Sequence, residues 1–281
     1  MKKILMVMTL VLASSVLCCA QVEFDWSAGG ELVSNYIWRG QSLGGLSFQP
    51  DATAAIKGNF GRFEVELWAN LGGAHDLVEN NGKYFGLAKD NYFNPELDAT
   101  LTYSIAGFKV GVTHYHYFDR SWFDMKNVPS EDLQPDENGE AASGGDEGNQ
   151  LEVFAQYTIS EDIPLTISWY TVVAGADGFL NDEMKVKRAF STYIDLSYEF
   201  SLPAELSLTA SVGITPWRSM YTGYEKTFVC NNLSARLERE WQLGEVATFT
   251  AFAQPMFNFT RVKDFSYGNN FMWAIGCGIW F

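Results

Sequence analysis

The chain has 281 residues, 34 acidic against 19 basic, with a formal net charge of −15 at pH 7. Such an excess of carboxylates excludes nucleic acid as a partner, because binding phosphates needs a basic footprint. Hydrophobic residues make up 47% of the chain, yet beyond the first twenty residues no apolar run reaches the ~18 residues of a spanning helix. Hydropathy alone is then compatible with a soluble exported protein, and the choice rests on pattern.

At the N-terminus, Lys2 and Lys3 precede an apolar run from Ile4 to Leu12, and Cys18-Cys19-Ala20 sets small residues where a signal peptidase reads. Residues 1–20 are expected to be a cleaved signal peptide and residues 21–281 one domain. Lipidation does not fit, because the positions before an acylated cysteine should be small and Leu17 stands before Cys18.

Apolar and polar residues then alternate through twelve segments, about 26–39, 47–57, 60–71, 93–105, 107–118, 149–160, 164–175, 189–201, 205–216, 226–241, 246–258 and 269–281. Successive strand side chains point to opposite faces, so each segment has one oily face and one small or polar face. The segments exceed the mode of about 5–6 residues in soluble sheets and suit the ~9–11 residues of a tilted strand crossing a bilayer. Short connections around Gly58-Asn59, Ala106-Gly107, Ser160–Ile163, Leu202–Ala204 and Gln242–Glu245 alternate with longer ones at 40–46, 72–92, 119–148, 176–188, 217–225 and 259–268. With both ends of the chain on the periplasmic side, every short turn is periplasmic and every long loop extracellular, as in bacterial outer-membrane barrels of even strand number. A bilayer also demands closure, since an open edge would strand backbone groups in lipid. The expected fold is all-β, a closed antiparallel transmembrane barrel of about 12 strands in the bacterial outer membrane. Aromatics near the segment ends fit interface girdles, with Tyr36, Trp38, Tyr92, Phe93 and Trp217 at one boundary and Trp241, Trp280 and Phe281 at the other.

The run Val33-Ser34-Asn35-Tyr36-Ile37-Trp38-Arg39-Gly40-Gln41-Ser42 carries a Ser-x-Tyr-x-aromatic-Arg-Gly-x-Ser pattern. It resembles the first strand of the TorF-like family of outer-membrane porins, and Gln49-Pro50-Asp51 resembles a degraded form of that family's next-strand entry. About twenty-five residues carry the likeness. It implies a porin-like barrel and leaves the substrate undefined. The closing row Trp273, Ile275, Ile279 and Phe281 resembles the signal read by the barrel-assembly machinery, which joins outer-membrane lipid as an implied partner.

If the oily face meets lipid, the opposite phase points into a lumen. It holds Asn35, Arg39, Glu64, Glu66, Glu96, Asp98, Glu152, Asp195, Glu199, Arg236, Glu238 and Glu240. Carboxylates outnumber bases in this set, so the lumen should concentrate cations. Arg39 and Arg236 are candidates for a constriction or for a salt-bridged plug, since a twelve-stranded barrel is narrow. His114 and His116 have a chelating spacing, but their phase is the lipid-facing one and no third ligand is fixed, so no metal site is expected. The acidic run from Glu131 to Glu147 offers calcium-type oxygen ligands but matches no EF-hand, and its composition favours a solvated loop over a calcium site. No Gly-x-Ser-x-Gly is present and His75, His114 and His116 are the only histidines, so no enzyme is expected. Cys230 falls on the lumen phase and Cys277 on the lipid phase, which predicts two free thiols. The leading expectation is a passive, cofactor-free channel for small solutes with a weak cation preference. A non-conducting barrel that displays its loops for adhesion or scaffolding is the alternative, and a barrel enzyme a third.

Overall fold

The computed structural model describes residues 22–72, 95–118, 121–127, 148–181, 183, 185–225, 228–260 and 271–281. The expected signal peptide, His75, Tyr92, Phe93 and the acidic run 131–147 lie outside the described residues.

Twelve long strands form a closed barrel, and each expected segment contributes one. They are β1 (Glu23–Val33), β4 (Ser47–Gly58), β5 (Gly61–Gly72), β6 (Glu96–Ile105), β7 (Phe108–Tyr117), β8 (Gln150–Thr158), β9 (Leu165–Gly175), β12 (Thr192–Leu202), β13 (Leu206–Thr215), β14 (Val229–Leu243), β15 (Ala247–Phe257) and β16 (Phe271–Trp280). Two short hairpins sit within connections, β2 (Tyr36–Trp38) with β3 (Gln41–Gly44), and β10 (Gly178–Leu180) with β11 (Val186–Arg188). Every barrel strand pairs antiparallel with its neighbour along the chain. Closure comes from β16 on β1, with Trp280 opposite Gly29 and Gly276 opposite Val33. Phe281 extends the seam: its N–H donates to the Ala28 carbonyl at 2.8 Å, and the Ala28 N–H donates back at 3.2 Å.

The alternation sorts cleanly into two faces. Phe24 and Trp26 are 69% and 61% exposed, and Val65, Leu101, Ile167 and Ile275 stand on the same outer surface. The fully buried side chains are mostly polar instead, among them Glu152, Asn149, Asn231 and Asn258. Inside, a small apolar cluster forms from Val33, Phe252 and Ala274, with Ile37 against them. A soluble sheet protein buries its large apolar side chains, whereas this one wears them outward all the way round. Short turns gather at one end, as Ala106-Gly107 does between Ile105 and Phe108 with both residues at positive φ. The strand ends that lead into the longer connections lie at the other. The two ends are called here the short-turn and long-loop ends.

Three details differ from the sequence reading. The first strand stops at Val33 rather than running to residue 39, because 36–44 pairs with itself as a hairpin. Tyr36 and Trp38 therefore belong to that hairpin and pack inside the barrel, not on a girdle; Trp280 likewise faces inward, in register with Gly29 and Thr248. Between β13 and β14 the register slips at Gly213/Ile214, with Asn231 of β14 as the extra residue. This bulge turns both Asn231 and Asn232 inward and carries Cys230 to the outer phase opposite Ile214. The thiols of Cys230 and Cys277 are free.

Candidate functional site

Beyond Ser34, which still pairs with Ile275 of β16, the chain leaves the wall and residues 36–44 cross the interior as the β2–β3 hairpin. Its tip is the two-residue turn Arg39-Gly40 between paired Trp38 and Gln41. Both tip residues have positive φ, 47° and 86°. That is the type I′ geometry that suits strand twist, and it makes glycine natural at the second position. Arg39 in the left-handed region is disfavoured by its own Cβ, so other contacts must hold it there.

Those contacts come from four sides. The Arg39 guanidinium makes a bidentate ion pair with Glu152 of β8, Nη1 to Oε2 at 2.5 Å and Nη2 to Oε1 at 2.7 Å. Nη1 also donates to the Tyr221 hydroxyl. Four rings surround the cation, at 4.1 Å for Tyr170, 4.6 Å for Trp38, 5.3 Å for Tyr193 and 5.7 Å for Tyr221. The Tyr115 hydroxyl adds a bond to Glu152 Oε1 at 3.0 Å. Burial alone would pull the guanidinium pKa down, but Glu152, with the tyrosines beside it, more than reverses this and holds it above its usual value. The turn's own carbonyls are held as well. Asn231 Nδ2 donates to the Arg39 carbonyl at 2.8 Å, and Asn258 Nδ2 donates to that of Gly40 at 2.6 Å. A Cβ on Gly40 would overlap the Asn231 carbonyl. Gly40→Ala should therefore dislodge the tip, seen as new proteolytic cleavage within 36–44 in folded protein; unchanged protection would show that the tip is not clamped.

A further relay supports Tyr221. Asp177 accepts from the Ser191 N–H at 3.1 Å and from the Ser191 hydroxyl at 2.5 Å. Ser191 Oγ in turn accepts from the Met220 N–H at 2.8 Å, at the start of the 3₁₀ turn Met220–Thr222. Burial raises the Asp177 pKa from 3.8 to about 6 against the pull of the Ser191 bonds. The fold thus prefers the neutral acid, and this contribution is complete below about pH 4 and lost as pH rises through about 6. It amounts to roughly 3 kcal/mol. Hydrogen exchange in 176–191, corrected for intrinsic rate, should accelerate over that window in wild type and lose the dependence in Asp177→Asn. A variant with the same pH profile as wild type would place the titration elsewhere.

On the short-turn side of the hairpin lies a cavity of about 340 Å³. Asn35, Glu66, Asp98 and Arg236 line it together, beneath Trp38 and beside Trp68. Asn35 Oδ1 accepts from the Ser42 hydroxyl at 2.7 Å, which ties the two hairpin arms. Arg236 is held by Glu31 at 2.7 Å and Glu238 at 2.5 Å, with its guanidinium 3.5 Å from the Phe252 ring. Glu96 stands above Asp98 and accepts from the Tyr36 and Tyr117 hydroxyls, both at 3.1 Å. Glu64 pairs with Arg62 at 2.7 Å near the short turns, and Asp195 accepts from Tyr193 at 3.1 Å. By register Glu199 and Glu240 complete the inner face toward the short-turn mouth. Arg39 and Asn35 reach the interior through the hairpin and not as wall residues.

His114 and His116 stand on the outer face, in register with Ala99 and Leu97. The Trp122 ring stacks on both, at 5.6 and 4.1 Å, and His116 Nδ1 meets Asn149 Oδ1 at 3.1 Å. Among the described residues no group of metal-binding side chains forms. The clamp residues Tyr221, Asn231 and Asn258 escape sequence reasoning; the Asn231-Asn232 doublet, which breaks the alternation, is the signal that marks the bulge.

No family model and no curated protein matches the sequence, so the TorF-like resemblance rests on its short segment. Among solved structures, the chain is similar to an outer membrane channel from Pseudomonas putida F1 at 10% identity and TM-score 0.43, covering 93% of this chain and 94% of that one. It is also similar to OmpF of Salmonella typhi in complex with daunomycin, at 11% identity and TM-score 0.38, covering 92% and 97%. An anion-selective porin from Comamonas acidovorans aligns at 7% identity and TM-score 0.31, over 92% and 99%. Likenesses this distant decide nothing about function; the geometry must.

Proposed function

We propose that this chain is exported by its signal peptide to the bacterial outer membrane and acts there as a narrow, cation-preferring channel for small solutes. One observation carries the reading: a closed barrel that is apolar outside and acidic inside. An apolar belt of this kind is what lipid contact requires, and a polar interior is what solute passage requires. The interior bases Arg39, Lys57, Arg62, Lys109 and Arg236 each face a carboxylate. Asp51, Glu66, Asp98, Asp195, Glu199 and Glu240 carry no ion pair among the described residues. The surplus is negative, so cations should be enriched. In this reading the row Trp273, Ile275, Ile279 and Phe281 also presents the closing strand to the assembly machinery.

The clamped hairpin favours a second reading, a sealed barrel that displays its loops. Against it, unpaired interior carboxylates cost folding energy and give a sealed barrel nothing in return. The reversal potential across a bilayer in a potassium chloride gradient tests the polarity. The sign for cation preference is expected; anion preference would overturn the acidic-lumen account.

A further inference from the structure

The cavity beneath the hairpin has a chemistry of its own. Trp68, Asp98 and Tyr115 are direct cross-strand partners on β5, β6 and β7, so one carboxylate stands between two rings. Trp38 packs edge-on to Tyr115 at 5.7 Å and closes the cavity from above. Asp98 Oδ1 is buried without a hydrogen-bond partner. Glu66 lies one step down the same wall, beyond Trp68. The lone base of the lining, Arg236, is already held by Glu31 and Glu238. The uncommitted polar groups of the lining are therefore carboxyls, and the rings of Trp68, Trp38 and Tyr115 flank them.

We infer that this cavity is a binding site for a small organic ammonium ion, whose charged nitrogen sits against Asp98 and whose carbon substituents lie on Trp68, Trp38 and Tyr115. Aromatic faces attract such cations most strongly where water is displaced, and tryptophan does so best. A bare metal cation fits less well. It needs several oxygen ligands at short range, and no such group forms among the described residues. An anion would meet Asp98 and Glu66 with only a neutralised arginine to hold it. A neutral solute could donate a hydroxyl to Asp98 Oδ1 but would leave a carboxylate there without a counter-charge. The volume of about 340 Å³ accepts an amine of several carbons. The inference rests on the channel reading for its route of entry, but binding itself does not depend on current.

The test uses the full-length barrel, folded in detergent and titrated calorimetrically with n-butylammonium chloride. n-Butanol and sodium butyrate serve as shape-matched probes lacking the positive charge. Saturable butylammonium binding is expected, with neither control binding comparably. Asp98→Asn keeps the shape of the side chain and should weaken binding about tenfold or more, as loss of a charged contact does. Glu66→Gln should weaken it less. Folding of each variant is checked by its heat-modifiable gel shift. No saturable binding, equal binding of butanol, or affinity unchanged in folded Asp98→Asn would each overturn the site. The outcomes separate from those of the channel reading: binding without conductance defeats the channel and spares the site, and conductance without binding does the reverse.

Discussion

Arg39→Ala protein should pass severalfold more current per open barrel than wild type. Twelve strands spaced ~4.8 Å and tilted ~40° make a barrel about 24 Å across between backbones, and inward side chains leave roughly 12–14 Å. A two-stranded hairpin with its side chains is about 10 Å thick, so it occupies most of that width. What keeps it there is decided by magnitudes. The two asparagine bonds to the turn carbonyls are each worth roughly 0.5–1.5 kcal/mol net. Removing one partner of a buried ion pair costs about 3–5 kcal/mol, because the other charge is left uncompensated. The side chains of Arg39 and Glu152 are 9% and 1% exposed, which places the pair in that buried class. In Arg39→Ala, water must reach Glu152, and the cheapest route is to displace the hairpin tip. Single-channel recording reads the result. A variant with wild-type conductance would show that the tip stays in place without its arginine.

Glu152→Ala should be the most damaging single change to the hairpin. It strands a guanidinium among Trp38, Tyr170, Tyr193 and Tyr221 with, among the described residues, only the Tyr221 hydroxyl as a polar side-chain partner. The rings offset part of the loss, since each exposed-class cation–π contact contributes ~0.5–1 kcal/mol and buried ones more. A net cost near 3 kcal/mol would raise amide exchange in 36–44 by on the order of a hundredfold. The double variant Arg39→Met with Glu152→Leu should recover most of the protection, because no charge is left to hydrate. Exchange as fast in the double variant as in Glu152→Ala would mean that the pair is not the latch.

The barrel was legible in the sequence because both requirements of a membrane strand, length and two-residue period, are written into every segment. The hairpin was not. Tyr36-Ile37-Trp38 continues the alternation of β1 without a break, since a strand folded into the interior also alternates. Only Gly40, at the second turn position where glycine is favoured, marks the reversal. Glu152 could be placed on the inner face from its phase, yet its partner could not, because Arg39 lies 113 residues away on an element that period alone assigns to the wall. Cys230 was misplaced for a related reason: one inserted residue inverts every side chain beyond it. Tyr221, in a 3₁₀ turn within a loop, has no periodic neighbours to give it a phase.

The central claim is that an apolar belt and an acidic interior make this barrel a conducting one despite its clamped hairpin. Single-channel recording of the wild-type protein in a planar bilayer tests it most directly. Discrete steps are predicted, smaller than those of the wider 16–18-stranded porins. A barrel that inserts, as shown by its folded gel shift in the recovered membrane, and passes no current at any voltage the bilayer withstands would contradict the account.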